Sequence, residues 1–197
     1  SSWEPPSERT NISLTVTEVD VLVPDPPAEP KTRAEFLKYS RNITLDPNTA
    51  NKLLLLSEGN RKATAVIQQQ SYSDHPDRFT WFQVLSRESL TGRCYWEVER
   101  RGEGVCVAVA YKNISRKGGY ECVFGCNDKS WVLNCNNNSF TLGVYLDHRA
   151  GILSFYSVSE TMTLLHRVQT TFTQPLYAGL MTRCRYCNSI RKKAALK

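Results

Sequence analysis

The sequence has no apolar run approaching the ~20 residues that a membrane-spanning helix needs, so membrane insertion by this segment is not expected. Its first residues, Ser1-Ser2-Trp3-Glu4-Pro5-Pro6, are neither basic nor apolar and do not read as a signal peptide. Histidine is scarce, with three residues at 75, 148 and 166, and none lies in a nucleophile motif. No glycine-rich loop leads into a helix, so a phosphate cradle is missing; Lys117-Gly118-Gly119 reads as a turn. There is no internal repeat and no long amphipathic helical pattern. The cysteines number seven, and an odd count argues against a closed disulfide framework.

What is present is enough for one core. The 197 residues are 41% hydrophobic and 10% aromatic, which suits a folded domain. The net charge of +6 suggests nucleic acid until its position is read. Residues 183–197 hold Arg183, Arg185, Arg191, Lys192, Lys193 and Lys197 and no acid, which leaves 19 basic against 19 acidic side chains elsewhere. The basicity is therefore a tail rather than a face, and no nucleic-acid partner is expected.

Residues 1–31 form a polar lead-in ending in a Pro-rich linker, PDPPAEP (24–30). Within it, NISLTVTEVDVLV (11–23) alternates partly and is expected to be extended. One short helix is expected over 32–39, where Thr32 and Glu35 make a capping box. From residue 42 the pattern is that of short strands. In RCYWEVE (93–99), Cys94, Trp96 and Val98 share an inward face, while Tyr95, Glu97 and Glu99 share a solvent face. VCVAVAY (105–111) lacks a polar face and should be central. ERRGEG (99–104) and HRAG (148–151) read as hairpin connections. The expected fold is all-β, an antiparallel sandwich with a short N-terminal helix.

Several segments, in order, resemble a known family. ITLDPNTANKLLLLSEGNRKAT (43–64) is similar to the PRY segment, and QVLSRESLTGRCYWEVE (83–99) to the passage into SPRY. FGCNDKSWVL (124–133), GVYLDHRAGILSFYSV (143–158) and PLYAGL (175–180) resemble later SPRY strands. The wording is that of fish versions at the C-termini of TRIM-type ubiquitin ligases, NLR-type immune receptors and stonustoxin-like pore-forming toxins. The resemblance implies a bent β-sandwich, with PRY over about 32–84, SPRY over about 85–182, and the basic tail beyond. It also implies no catalytic residues, no cofactor, and a protein or peptide ligand held by loops at one end. Oligomerisation would lie in regions outside this chain. A TRIM-type or NLR-type parent implies a cytoplasmic innate-immunity protein, and a toxin parent a secreted targeting domain. Two stretches depart from the family pattern. NCNNNSFT (134–141) runs almost straight into LGVYLD, which removes a loop, and the C-terminus ends in basic residues instead of an apolar strand.

Cys122, Cys126, Cys135, Cys184 and Cys187 do not form two tight knuckle pairs, so no metal site is expected. Cys122, Phe124 and Cys126 are expected on one face of a strand, as core. Glu97 and Glu99 could act as an acid–base pair, but a solvated strand face is the plainer account. Function in such a fold comes from loops, anchored by aromatic and arginine side chains. The loops 71–82, 100–104, 112–120 and 135–138 supply the candidates. These are Tyr72, Trp81, Phe82 and Tyr120 as anchors, with Arg78, Arg101, Glu103, Arg116, Lys117 and Asn136 as polar contacts. Trp81 and Phe82 fit a core role equally well. Trp96 and Trp131 are assigned to the core. No enzymatic activity is expected.

Overall fold

The computed structural model describes residues 28–100, 104–134, 141–159 and 161–182. A short helix, α1 (Arg33–Leu37), opens it, and ten strands follow: β1 (Leu54–Ser57), β2 (Lys62–Ala65), β3 (Gln83–Leu85), β4 (Arg93–Glu99), β5 (Val105–Tyr111), β6 (Ser130–Asn134), β7 (Thr141–Asp147), β8 (Ile152–Val158), β9 (Thr163–Gln169) and β10 (Leu176–Thr182). Two four-stranded antiparallel sheets result, ordered β3-β10-β5-β6 and β4-β7-β8-β9, with β1 and β2 as a separate hairpin. The arrangement is a β-sandwich, as the strand pattern indicates.

The principal core lies between the sheets. Trp96 of β4, Val144 and Leu146 of β7, and Leu153 and Phe155 of β8 meet Val107 and Val109 of β5 and Leu176 of β10. Burial of such side chains contributes roughly 1.5–3 kcal/mol each before chain entropy is subtracted. β5 is buried on both faces because a second cluster covers its back: Phe79, Ile114, Val123 and Phe124 pack on Cys106, Ala108 and Ala110. The small side chains on that face of β5 leave room for the aromatic rings.

Three local expectations are corrected. ERRGEG does not close a hairpin, since β4 and β5 belong to different sheets and the chain crosses between them there. The physical reason is β5 itself: an all-apolar strand needs neighbours on both sides, and β10 and β6 supply them. The outer face of β4 is not open either. Tyr95 is fully buried beneath α1, where Phe36 stacks on it at 5.3 Å and also touches Tyr145 and Tyr156. Finally, residues 120–126 do not form a strand; Tyr120–Cys122 is a 3-10 turn followed by further turns.

Other expectations hold in detail. The capping box at Thr32 and Glu35 is formed. β7 and β8 pair as a hairpin across 148–151, with Ala150 N–H donating to Asp147 Oδ1 at 2.9 Å. Gly151 is required there: its φ is +71°, and a Cβ would lie 1.7 Å from the carbonyl oxygen of Thr170. Trp131 is half-buried and packs edge-on between Tyr111 and Phe172. The lead-in strand 11–23, Cys135, the shortened segment before β7 and the basic tail lie outside the described residues.

Candidate protein-binding surface

The loop between β2 and β3 is fastened to the β1–β2 hairpin and to the segment before it. The Tyr72 hydroxyl donates to the Leu54 carbonyl at 2.9 Å and accepts from Leu56 N–H at 3.2 Å, which ties the loop to the β1–β2 hairpin. Arg78 is 7% exposed and donates to the carbonyls of Pro47, Ala50 and Ser73 at 2.6–2.7 Å. Its guanidinium stacks on Tyr72 at 5.1 Å. The expectation that Arg78 reaches a partner is thus corrected. Five hydrogen-bond donors can gather several carbonyls at once, and Arg78 uses them to tie its loop, at Ser73, to the segment before β1, at Pro47 and Ala50.

The same loop is stitched to the loop after β5. Thr80 N–H and Oγ1 both reach the Arg116 carbonyl, at 3.0 and 3.3 Å, and Trp81 Nε1 donates to the Gly118 carbonyl at 3.3 Å. The Arg116 guanidinium lies 4.5 Å above the buried Phe79 ring, and its Nη2 donates to Lys112 O at 2.6 Å. Desolvation holds the Arg116 guanidinium below its usual range, against the pull of Asp77 and Asp46. Above these sits Tyr120, 56% exposed, with its ring 6.1 Å from that of the half-buried Trp81. Lys117 is exposed beside them. Trp81, Arg116, Lys117 and Tyr120 therefore form one patch that joins aromatic surface to two basic side chains.

Phe82 is not part of it. The chain bends through residues 80–82, with Gln83 N–H donating to the Trp81 carbonyl at 2.7 Å, and the two side chains part there. Trp81 faces Tyr120, whereas Phe82 lines a separate groove of about 1050 Å³ with Leu45, Ala63, Leu180 and Thr182. Arg101, Glu103 and Asn136 lie outside the described residues.

Sequence reasoning missed the residue that fixes the floor of the patch. Gln83 is fully buried; its amide donates to the Cys122 carbonyl and accepts from Phe124 N–H at 3.3 Å. Asn127 does similar work, donating to the carbonyls of Glu121 and Val123 and accepting from Lys129 N–H and Ser130 Oγ. A lone Gln opening an apolar strand was the available signal for the first. Nothing local distinguished Asn127 from any turn asparagine.

Glu97 is not set up as a general acid. Glu97 accepts two hydrogen bonds from Arg33, at 2.8 and 3.0 Å, and a third from the Tyr95 hydroxyl. These hold its carboxyl below the usual range, the opposite of a poised acid. Cys94 and Cys122 are buried thiols whose pKa burial raises, and each donates to a nearby carbonyl. No cluster of His, Cys, Asp or Glu among the described residues could hold a metal ion.

Comparison with known proteins decides the family. The PRY profile, the SPRY-associated domain, matches residues 43–90. The chain carries a PRY–SPRY domain. It is 42% identical over 174 residues to tripartite motif-containing protein 16 of Mus musculus, covering 77% of this chain and 31% of that protein. It is 37% identical over 174 residues to stonustoxin subunit beta of Synanceia horrida, covering 77% of this chain and 25% of that protein. Among solved structures, the TRIM65 PSpry domain superposes with a TM-score of 0.69 at 25% identity, covering 80% of this chain and 95% of that domain. The chain thus spans less than a third of the length of the two curated relatives. PRY–SPRY domains are binding modules rather than enzymes, so this one is a protein-interaction module. No helix among the described residues is long and apolar enough to cross a membrane.

Proposed function

We propose that this PRY–SPRY domain recognises a protein or peptide through the patch formed by Trp81, Arg116, Lys117 and Tyr120, as the substrate- or ligand-recognition part of a TRIM-type or NLR-type innate-immunity protein in the cytoplasm. The observation that carries this reading is the exposed Tyr120 ring set against Trp81 on two loops locked together by the Thr80–Arg116 and Trp81–Gly118 bonds. Aromatic residues on a rigid base lose little entropy on binding and commonly anchor interfaces. Lys117 supplies a rim charge that favours an acidic or phosphorylated segment. Arg101, Glu103 and Asn136 are proposed to extend the surface. Buried Cys94 and Cys122 thiols support a reducing compartment.

Similarity to stonustoxin subunit beta favours a second reading, in which the same patch serves a secreted toxin as a targeting domain. Affinity capture from cytosolic extract with this chain, read by mass spectrometry, tests the first. A protein retained by the wild type and lost by a Lys117→Ala/Tyr120→Ala variant supports it. Retention of the same proteins by both would move the site elsewhere on the domain.

A further inference from the structure

We propose that the groove beside Phe82 is a second recognition site, and that it takes an extended segment of a partner protein in which apolar residues alternate with Asp or Glu. The groove holds about 1050 Å³ and lies between the β1–β2 hairpin and β4. Ile43, Phe82, Val98 and Leu180 line it and are only half-buried, so its floor is apolar surface still open to a ligand. Ile43, Val98 and Leu180 rest in turn on the core between the sheets, which makes that floor rigid. The groove is separate from the patch of Trp81 and Tyr120 and does not depend on it.

The walls call for an extended chain because both are strand edges. β2 pairs only with β1 among the described strands. Val66 N–H donates to the Leu53 carbonyl at 2.9 Å, so in this antiparallel ladder the backbone groups of Thr64 turn toward β1 and those of Ala63 and Ala65 turn away. On β4, Tyr95 turns its backbone away from β7: its N–H donates to Tyr39 and its carbonyl accepts from Arg41 N–H, at 2.8 and 2.9 Å. Glu97, two residues on, presents its N–H and carbonyl on the same side, and no described backbone group bonds them there. Sheet edges hold extended peptides through such groups.

The charges beside these edges deter indiscriminate pairing, and their balance selects the partner. Glu58 is paired with Lys62 at 2.9 Å and Glu97 with Arg33 at 2.8 Å. Glu99 and Arg100 are also engaged. Arg41 and Arg61 remain: both are exposed, both line the groove, and neither forms an ion pair. In an extended segment successive side chains point to opposite faces, so apolar residues can enter the floor while the acidic ones between them turn to the arginines.

Fluorescence polarisation of a labelled peptide of alternating Glu and Val, titrated with the full chain, tests this beside a Lys–Val peptide of equal length. Saturable binding of the Glu–Val peptide alone is expected. An Arg41→Glu/Arg61→Glu variant should weaken it roughly tenfold or more with an unchanged far-ultraviolet spectrum. A Lys117→Ala/Tyr120→Ala variant should bind the peptide as the wild type does, which separates this groove from the patch. If the charge-reversed variant does not fold, Arg61→Gln alone is expected to weaken binding by about threefold. Hydrogen–deuterium exchange should slow at Ala63, Ala65 and Glu97 when the peptide is added. Absence of saturable binding overturns the proposal, as does equal binding of both peptides or loss of binding in the Lys117/Tyr120 variant. Protection at Ala63 and Glu97 that is the same with and without peptide also overturns it, since another part of this chain or a second copy would then fill the groove.

Discussion

At the scale of single residues, two arginines of neighbouring loops have opposite fates. Arg78 is spent on three carbonyls, one in its own loop and two before β1, and Arg116 is laid over Phe79 at the base of the patch. Removing Arg78 leaves buried carbonyls without donors, each costing about 1–3 kcal/mol. Arg78→Ala is therefore expected to lower stability by on the order of 3 kcal/mol and to weaken partner binding only as the loop loosens. Tyr120→Ala should do the reverse, abolishing capture of the partner while denaturant unfolding stays within about 0.5 kcal/mol of wild type. Urea titrations beside the capture assay separate the two. Trp96 belongs wholly to the fold: it is 5% exposed between the sheets, and Trp96→Ala should cost about 3–5 kcal/mol in the same titration.

At the scale of elements, α1 is too short to stand alone and exists because it covers three tyrosines. Phe36 is its single buried residue, and Phe36→Ala is expected to cost about 3–5 kcal/mol and to increase the exposure of Tyr95, Tyr145 and Tyr156. Burial pushes the Tyr145 phenol up to about 12, so ultraviolet titration of the native protein should find it un-ionised well beyond the ordinary tyrosine range. The clamp between Arg33 and Glu97 adds a pH signature. Hydrogen bonds from Arg33 depress the Glu97 pKa in the folded state, so its contribution is complete above the unfolded value of about 4.3 and fades as pH falls through the folded one. The Tm difference between wild type and Glu97→Gln should accordingly be present at pH 7 and vanish under acid.

At the scale of the whole molecule, PRY and SPRY segments share their interior. β3 lies within the matched PRY span and is hydrogen-bonded to β10 at the other end of the chain. Val84 of that strand packs with Leu45 and Leu54 of the hairpin region and with Leu180. Cores joined in this way unfold together. Tryptophan fluorescence and far-ultraviolet dichroism are expected to report one coincident thermal transition, and a separate early transition for residues 43–90 would contradict this. Such a sandwich is rich in contacts between distant residues, which also makes slow folding the expectation.

Composition and period settled much of this before any coordinates. The alternation in RCYWEVE put Trp96 inside, the unbroken apolar run of β5 put it at a sheet centre, and Thr32 with Glu35 began the helix, because these features depend on neighbours two to four residues apart. The motifs in order placed the family. What the sequence could not convey was which side chains meet across the fold. ERRGEG looked like a hairpin because local spacing does not say which sheet a strand joins. Tyr95 looked solvent-facing because its cover comes from α1, nearly sixty residues upstream. Arg78 looked like a contact because two of its three carbonyl partners, Pro47 and Ala50, lie about thirty residues upstream. The candidate surface was legible as loops, but only the tertiary structure divided Trp81 from Phe82 and brought Trp81 to Tyr120, since the direction of a side chain in a bend is fixed by the long-range contacts that hold the bend, here Trp81 to Gly118.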